Sequence, residues 1–95
     1  MKVRELQARL ADLYLEKDRR RGVEGTYLWL VEEVGELSVA IRDKDFFATR
    51  EELADVLAWT ASVANILGID LEDAFNEKYP DRCLRCGAKP CRCPE

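Results

Sequence analysis

The stretch that most restricts what this chain can become runs from Trp29 to Trp59, WLVEEVGELSVAIRDKDFFATREELADVLAW. It carries two acidic groups, Glu32, Glu33 and Glu36 in the first and Glu52 with Asp55 in the second. Apolar residues recur around both groups at helical spacing, so each group sits on a helix. The connection, Asp43 to Ala48 with Phe46 and Phe47, is short enough to fold the two helices back on each other. Carboxylates facing one another across such a pair repel unless a cation lies between them. Oxygen-rich sets of this kind suit hard divalent cations, often alongside a phosphate.

The first helix spans residues 3 to about 21, with Val3, Leu6, Leu10 and Leu13 at helical spacing, Tyr14 beside them, and Gly22 as its stop. Lys17, Arg19, Arg20 and Arg21 fall in its last turns, where they complement the helix dipole or act as a lure for a polyphosphate. Gly22 to Gly25 reads as a loop and Thr26 as the N-cap of a second helix that runs to about Arg42. On that helix Tyr27, Leu30, Val34, Leu37 and Ile41 form an apolar stripe, with Trp29, Glu33, Glu36 and Ala40 along its edge and Glu32 further round.

Thr49 opens T-R-E-E, the pattern of a capping box that would engage Glu52 and compete with any role for it as a metal ligand. The third helix continues to Leu67 with Gly68 as its stop. Its interior, LADVLAWTASVANIL, is apolar nearly all round and requires burial on every side. Three other short helices supply too little cover, which predicts a homo-oligomer. Asp70 caps a fourth helix, LEDAFNEKY, and Pro80 ends it. The expected fold is all-α, a four-helix, bundle-like body over residues 1–82 followed by a Cys-rich tail over 83–95.

All four cysteines lie in that tail as C-x2-C-x4-C-x-C, at Cys83, Cys86, Cys91 and Cys93. They are candidate ligands of one tetrahedral, structural Zn²⁺. Two disulfides, or ligands shared between subunits, are the alternatives. The chain has no histidine, so metal chemistry here rests on carboxylates and thiolates. The net charge of −4 disfavours nucleic acid as the partner. MKVRELQARLADL is amphipathic rather than the apolar run of a secretory leader, and no segment reaches the 18 or so apolar residues of a bilayer span. The expectation is a soluble cytoplasmic protein, with no membrane partner.

Helical acids are most often a solvated face. Here, however, both groups flank the apolar seam, lack a basic residue at i+4, and share their faces with tryptophans, Trp29 in the first and Trp59 in the second. The order E-E-V-G-E at 32–36, fifteen residues, then E-L-A-D at 52–55 resembles the EExxE…ExxD signature of the MazG-like nucleoside triphosphate pyrophosphohydrolases. These form part of the all-α NTP pyrophosphatase superfamily, and the resemblance covers roughly residues 26 to 82.

The resemblance implies a homodimer or homotetramer. It also implies Mg²⁺, with Mn²⁺ as a substitute, and cleavage of a nucleoside triphosphate, a non-standard or surplus deoxynucleotide, to monophosphate and pyrophosphate. Carried across, Glu33, Glu36, Glu52 and Asp55 become Mg²⁺ ligands. Glu32 becomes a further ligand or the group that orients water, and together with Glu33 makes up the catalytic pair. Lys78 and Arg82 become phosphate contacts, although Pro80 interrupts the longer basic helix usual in the family. Trp29 and Trp59 are either core filler or platforms for the base. The rival reading is a non-catalytic, zinc-bearing interaction or nucleotide-sensing module whose acids serve solubility.

Overall fold

The computed structural model describes residues 1–95 and holds four α-helices and no strand. They are α1 (Val3–Arg21), α2 (Val23–Arg42), α3 (Phe46–Leu67) and α4 (Leu71–Lys78). The most extensive packing is between α2 and α3, followed by α1 against α3. The short α4 turns away from α3 at 104° and packs on α1. No single helix is long and apolar enough to cross a membrane.

The junction between α1 and α2 is tighter than the loop expected at residues 22–25. Gly22 alone separates the helices, at φ 87° and ψ 165°. It closes α1 with its N–H on Asp18 O at 2.9 Å, and it opens α2 by accepting from Thr26 N at 3.1 Å. That backbone region is essentially restricted to glycine, and a side chain there costs about 1–3 kcal/mol. Thr26 is accordingly not an N-cap. It is fully buried in the first turns of α2, where its hydroxyl accepts from Arg21 Nη1 at 3.1 Å. The same guanidinium nitrogen donates to Asp18 Oδ1 at 3.0 Å, fastening the bend from both sides. Gly25 lies within α2, and Arg21 passes close over it: a Cβ there would lie 2.9 Å from Arg21 Cγ.

The start of α3 also differs from expectation. Its N-cap is Asp45, whose Oδ1 accepts from Ala48 N at 3.0 Å. Phe46, Phe47 and Ala48 are therefore helical, and the connection shrinks to Asp43–Asp45. Thr49 instead donates its hydroxyl to Asp45 O at 2.7 Å. At the far end Gly68 takes the left-handed conformation (φ 69°) and Asp70 Oδ1 caps α4 through Asp73 N, both as expected. Gln7, buried on α1, ties this corner together. Its amide donates to Asn65 Oδ1 and to Ile69 O, and its Oε1 accepts from Leu71 N. Arg4 adds an exposed ion pair to Asp70 at 2.8 Å.

The inward faces are not the stripes that hydropathy selects. On α2 the buried positions are Thr26 and Ala40, with Glu33 half-buried between them and Leu30 and Leu37 on one flank. Tyr27, Val34 and Ile41, expected at the seam, are exposed. On α1 the line runs through Gln7 and Asp18, leaving Val3 and Leu13 exposed. Only seven of the 95 residues are buried, and Ala40, Ala61 and Ala64 are the whole of the fully buried apolar set. The radius of gyration is 15.8 Å, against about 12 Å for a compact domain of this length. A single chain therefore leaves broad apolar surface open.

Candidate active site

Two helices that cross with Glu33 on one inward face and Glu52 on the other bring the two acidic groups together. Carboxylate oxygens of Glu33, Glu36 and Glu52 all lie within 4.8 Å of one another. Because Asp45 holds the start of α3, Glu52 has no capping duty and turns into this cluster instead. Glu33 and Glu52 are half-buried and Glu36 is exposed. Oε2 of Glu33 and Oε2 of Glu52 are shut off from solvent with no hydrogen-bond partner. An unpaired buried carboxylate oxygen is costly, so the arrangement calls for a positive charge or a proton.

The proton's share of that demand falls on Glu33. The proton that would let Glu33 bond to Glu52 is held up to about 7, with burial and the charges of Glu36, Asp55 and Glu52 adding to the rise. Once that proton leaves, Glu33 and Glu52 face each other as two acceptors. A hard divalent cation satisfies both, and an all-carboxylate oxygen set is the donor type such a cation takes. The residues present fit a cation of the Mg²⁺ or Mn²⁺ class.

Asp55 lies one turn beyond Glu52. Its oxygens stand outside the tightest group, but its charge acts on Glu33. Asp55 also borders a cavity of about 520 Å³ between α1 and α3, lined by Leu10, Leu13, Tyr14, Lys17, Asp18, Arg21, Ala58, Trp59 and Ser62 as well. Asp55 thus belongs both to the acidic neighbourhood and to a cavity of ligand size. Trp29 and Trp59 come together as a near-parallel pair, centroids 5.8 Å apart and 11° between planes. The Arg21 guanidinium carbon lies 5.0 Å from the Trp59 ring centroid. Of the two tryptophans, only Trp59 lines the cavity.

Sequence reading found Lys17 and Arg21 only as members of a charge run, and it missed Tyr14 and Asp18 as site residues altogether. Asp18 is 2% exposed, and its Oδ2 has no partner. The available signal was the spacing Leu10, Tyr14, Lys17, Arg21, which puts these four on one face of α1.

Other expected residues do not join this site within one chain. Glu32 is exposed and lies outside the carboxylate group. Lys78 and Arg82 line a different hollow, between the end of α4 and the Cys-rich tail, which shares no residue with the Asp55 cavity. The four cysteines form a second group of their own, with all Sγ atoms within 4.8 Å.

Residues 21–86 match the family described as the MazG nucleotide pyrophosphohydrolase domain. The chain is also 41% identical over 89 residues to a protein of Cyanophage S-2L named dATP/dGTP diphosphohydrolase, an alignment spanning 92% of this chain and 79% of that protein. The matched region holds α2, α3 and α4 whole, and with them every carboxylate of the cluster. This all-α chain belongs to the MazG nucleotide pyrophosphohydrolase family and is a nucleoside triphosphate pyrophosphohydrolase.

Proposed function

We propose that the chain cleaves surplus or non-standard deoxynucleoside triphosphates, purine ones foremost, to the monophosphate and pyrophosphate, with Mg²⁺ or Mn²⁺ held by Glu33, Glu36, Glu52 and Asp55. The observation that carries this reading is the convergence of three carboxylates, two with buried unpaired oxygens, beside a nucleoside-sized cavity that shares Asp55. The printed activity of the cyanophage relative, on dATP and dGTP, supports the purine preference.

A bound divalent cation supplies charge neutralisation on the phosphates and an acidified water. The chain's residues divide the remaining work. Water adds at phosphorus, the bond to the α–β bridging oxygen breaks, and pyrophosphate departs with that oxygen. The water's proton passes to a carboxylate of the catalytic pair, Glu32, exposed one turn before Glu36, or Glu33. Lys17 and Arg21, at the cavity rim with Asp55, attract the polyphosphate. Tyr14 and Leu10 wall the base, and Trp59 with Trp29 behind it supports it.

The active form in this reading is a homodimer or homotetramer in the cytoplasm, where such nucleotides are made. The exposed apolar residues of α2 and α3 form the contact between copies, and Lys78 and Arg82 of one copy reach the phosphates bound by another.

Calorimetric titration of Mg²⁺ tests the site directly. With a purine deoxynucleotide whose α–β bridge is a non-hydrolysable methylene, Mg²⁺ is expected to bind at least about tenfold more tightly than without it, a coupling of about 1.4 kcal/mol. Mg²⁺ binding that is absent, or indifferent to the nucleotide, favours the non-catalytic module.

A further inference from the structure

The Cys-rich tail is absorbed neither by the hydrolytic site nor by the helical body. We propose that Cys83, Cys86, Cys91 and Cys93 bind one Zn²⁺ in a closed tetrathiolate centre that folds residues 83–95 against the end of α4.

The sulfur positions carry the proposal. A tetrahedral zinc with Zn–S bonds of about 2.3 Å requires its sulfurs to stand about 3.8 Å apart. Cys83 Sγ and Cys93 Sγ are 3.7 Å apart, Cys86 Sγ and Cys91 Sγ are 4.0 Å apart, and all four lie within 4.8 Å of one another. A disulfide brings sulfurs to about 2.05 Å, and all four cysteines are free thiols here. The nested arrangement, first near last and the middle two together, wraps the chain round a single point.

The backbone is shaped for the same purpose. Gly87, directly after Cys86, takes the left-handed conformation at φ 73°. That turn lets Gly87 N donate to Cys83 O at 2.7 Å and Cys83 N donate to Ala88 O at 3.0 Å. Two further amides point at sulfur: Arg92 N on Cys86 Sγ and Cys93 N on Cys91 Sγ, each at 3.3 Å. Amides directed at ligand atoms orient them and support their negative charge.

Charge and burial agree. Four thiolates on one dication leave a doubly negative centre, and Arg82, Arg85, Lys89 and Arg92 alternate with the cysteines along the chain. No helix or strand lies beyond Lys78, and Leu84 is exposed, so apolar packing does not hold the tail. A segment this short keeps a defined shape only with a staple such as a metal. Four thiolates leave no open coordination position, so the ion is structural and takes no part in hydrolysis.

The test is metal analysis and Co²⁺ substitution on the full chain, purified with its thiols reduced and with Mg²⁺ in excess. The expected result is one zinc per chain, replaceable by Co²⁺ with intense sulfur-to-metal charge-transfer absorption and strong visible bands of tetrahedral geometry. Co²⁺ bound instead to the carboxylates is oxygen-ligated and lacks the charge-transfer band, so the two sites are told apart. Cys86→Ser should weaken zinc binding at least about a hundredfold while the far-ultraviolet helical signal is retained, because the tail contributes no helix. Substoichiometric zinc, or Co²⁺ spectra without the sulfur band, would overturn the proposal.

Discussion

Glu33→Gln is expected to reduce kcat/KM at least about a hundredfold, close to 3 kcal/mol of transition-state stabilisation, while making the metal-free protein more stable. The two effects have opposite signs because one carboxylate serves two states. With a cation bound, Glu33 supplies negative charge that an amide cannot. Without it, Glu33 sits among Glu36, Glu52 and Asp55 and is held protonated up to about 7. An amide of the same shape reproduces the protonated form and can donate permanently to Glu52.

The pH dependence follows from the same cause. Folding raises this group's proton affinity, so its stabilising contribution is full below its unfolded value near 4.5 and is lost as pH rises through about 7. Metal-free wild type should therefore lose thermal stability between about pH 5.5 and 7.5. The lower limit avoids the isoelectric region near 4.9. Glu33→Gln should remove this slope, and thermal melts in chelator with kinetics in Mg²⁺ read both arms. Full turnover in the variant, or a metal-free variant less stable than wild type, contradicts the role given to Glu33.

Val31→Asp and Leu57→Asp are each expected to dissociate the proposed homo-oligomer and to lower activity with it. On one chain Val31 is 48% exposed and Leu57 51% exposed, and Leu28, Val34, Ile41 and Leu53 are also exposed. Exposed apolar residues in such number on α2 and α3 support the proposed contact between copies. The thin core and the 15.8 Å radius of gyration agree. Each substitution forfeits about 2 kcal/mol of apolar burial per copy, before the cost of a buried charge is added. An isolated chain would tolerate either change, since both positions already meet water. Sedimentation equilibrium should give wild type a mass at least twice 10.9 kDa and the variants about 10.9 kDa. Wild type at 10.9 kDa contradicts the assembly.

What could be read from the sequence was whatever local chemistry decides. Gly68 and Asp70 end α3 and begin α4 through their own backbone conformation and side chain, and both were legible. The acid spacing grouped Glu33 with Glu36 on one face of α2, and the packing of α3 on α2 brings Glu52 to them.

The misreadings share a cause, which is that tertiary contacts reassigned residues with strong local preferences. Gly25 and Thr26 resemble loop and cap residues, yet they serve the passage of Arg21 over the bend. Thr49 resembles an N-cap, but Asp45, four residues earlier, takes the position with a stronger acceptor. The seam of α2 was assigned to Tyr27, Val34 and Ile41 because its true centre contains polar Thr26 and Glu33, which hydropathy directs outward. Tyr14, Lys17 and Asp18 meet Asp55 and Trp59 only through the packing of α1 on α3, and no spacing within α2 and α3 points to them.

The most direct measurement of the central claim is the identity of the products when dATP and dGTP are incubated with the protein and Mg²⁺. Phosphorus NMR should show one deoxynucleoside monophosphate and one pyrophosphate per turnover, with no orthophosphate, and chelation of the metal should stop the reaction. Orthophosphate with a diphosphate product, or turnover that persists in chelator, would contradict a carboxylate-held metal site that cleaves the α–β bond.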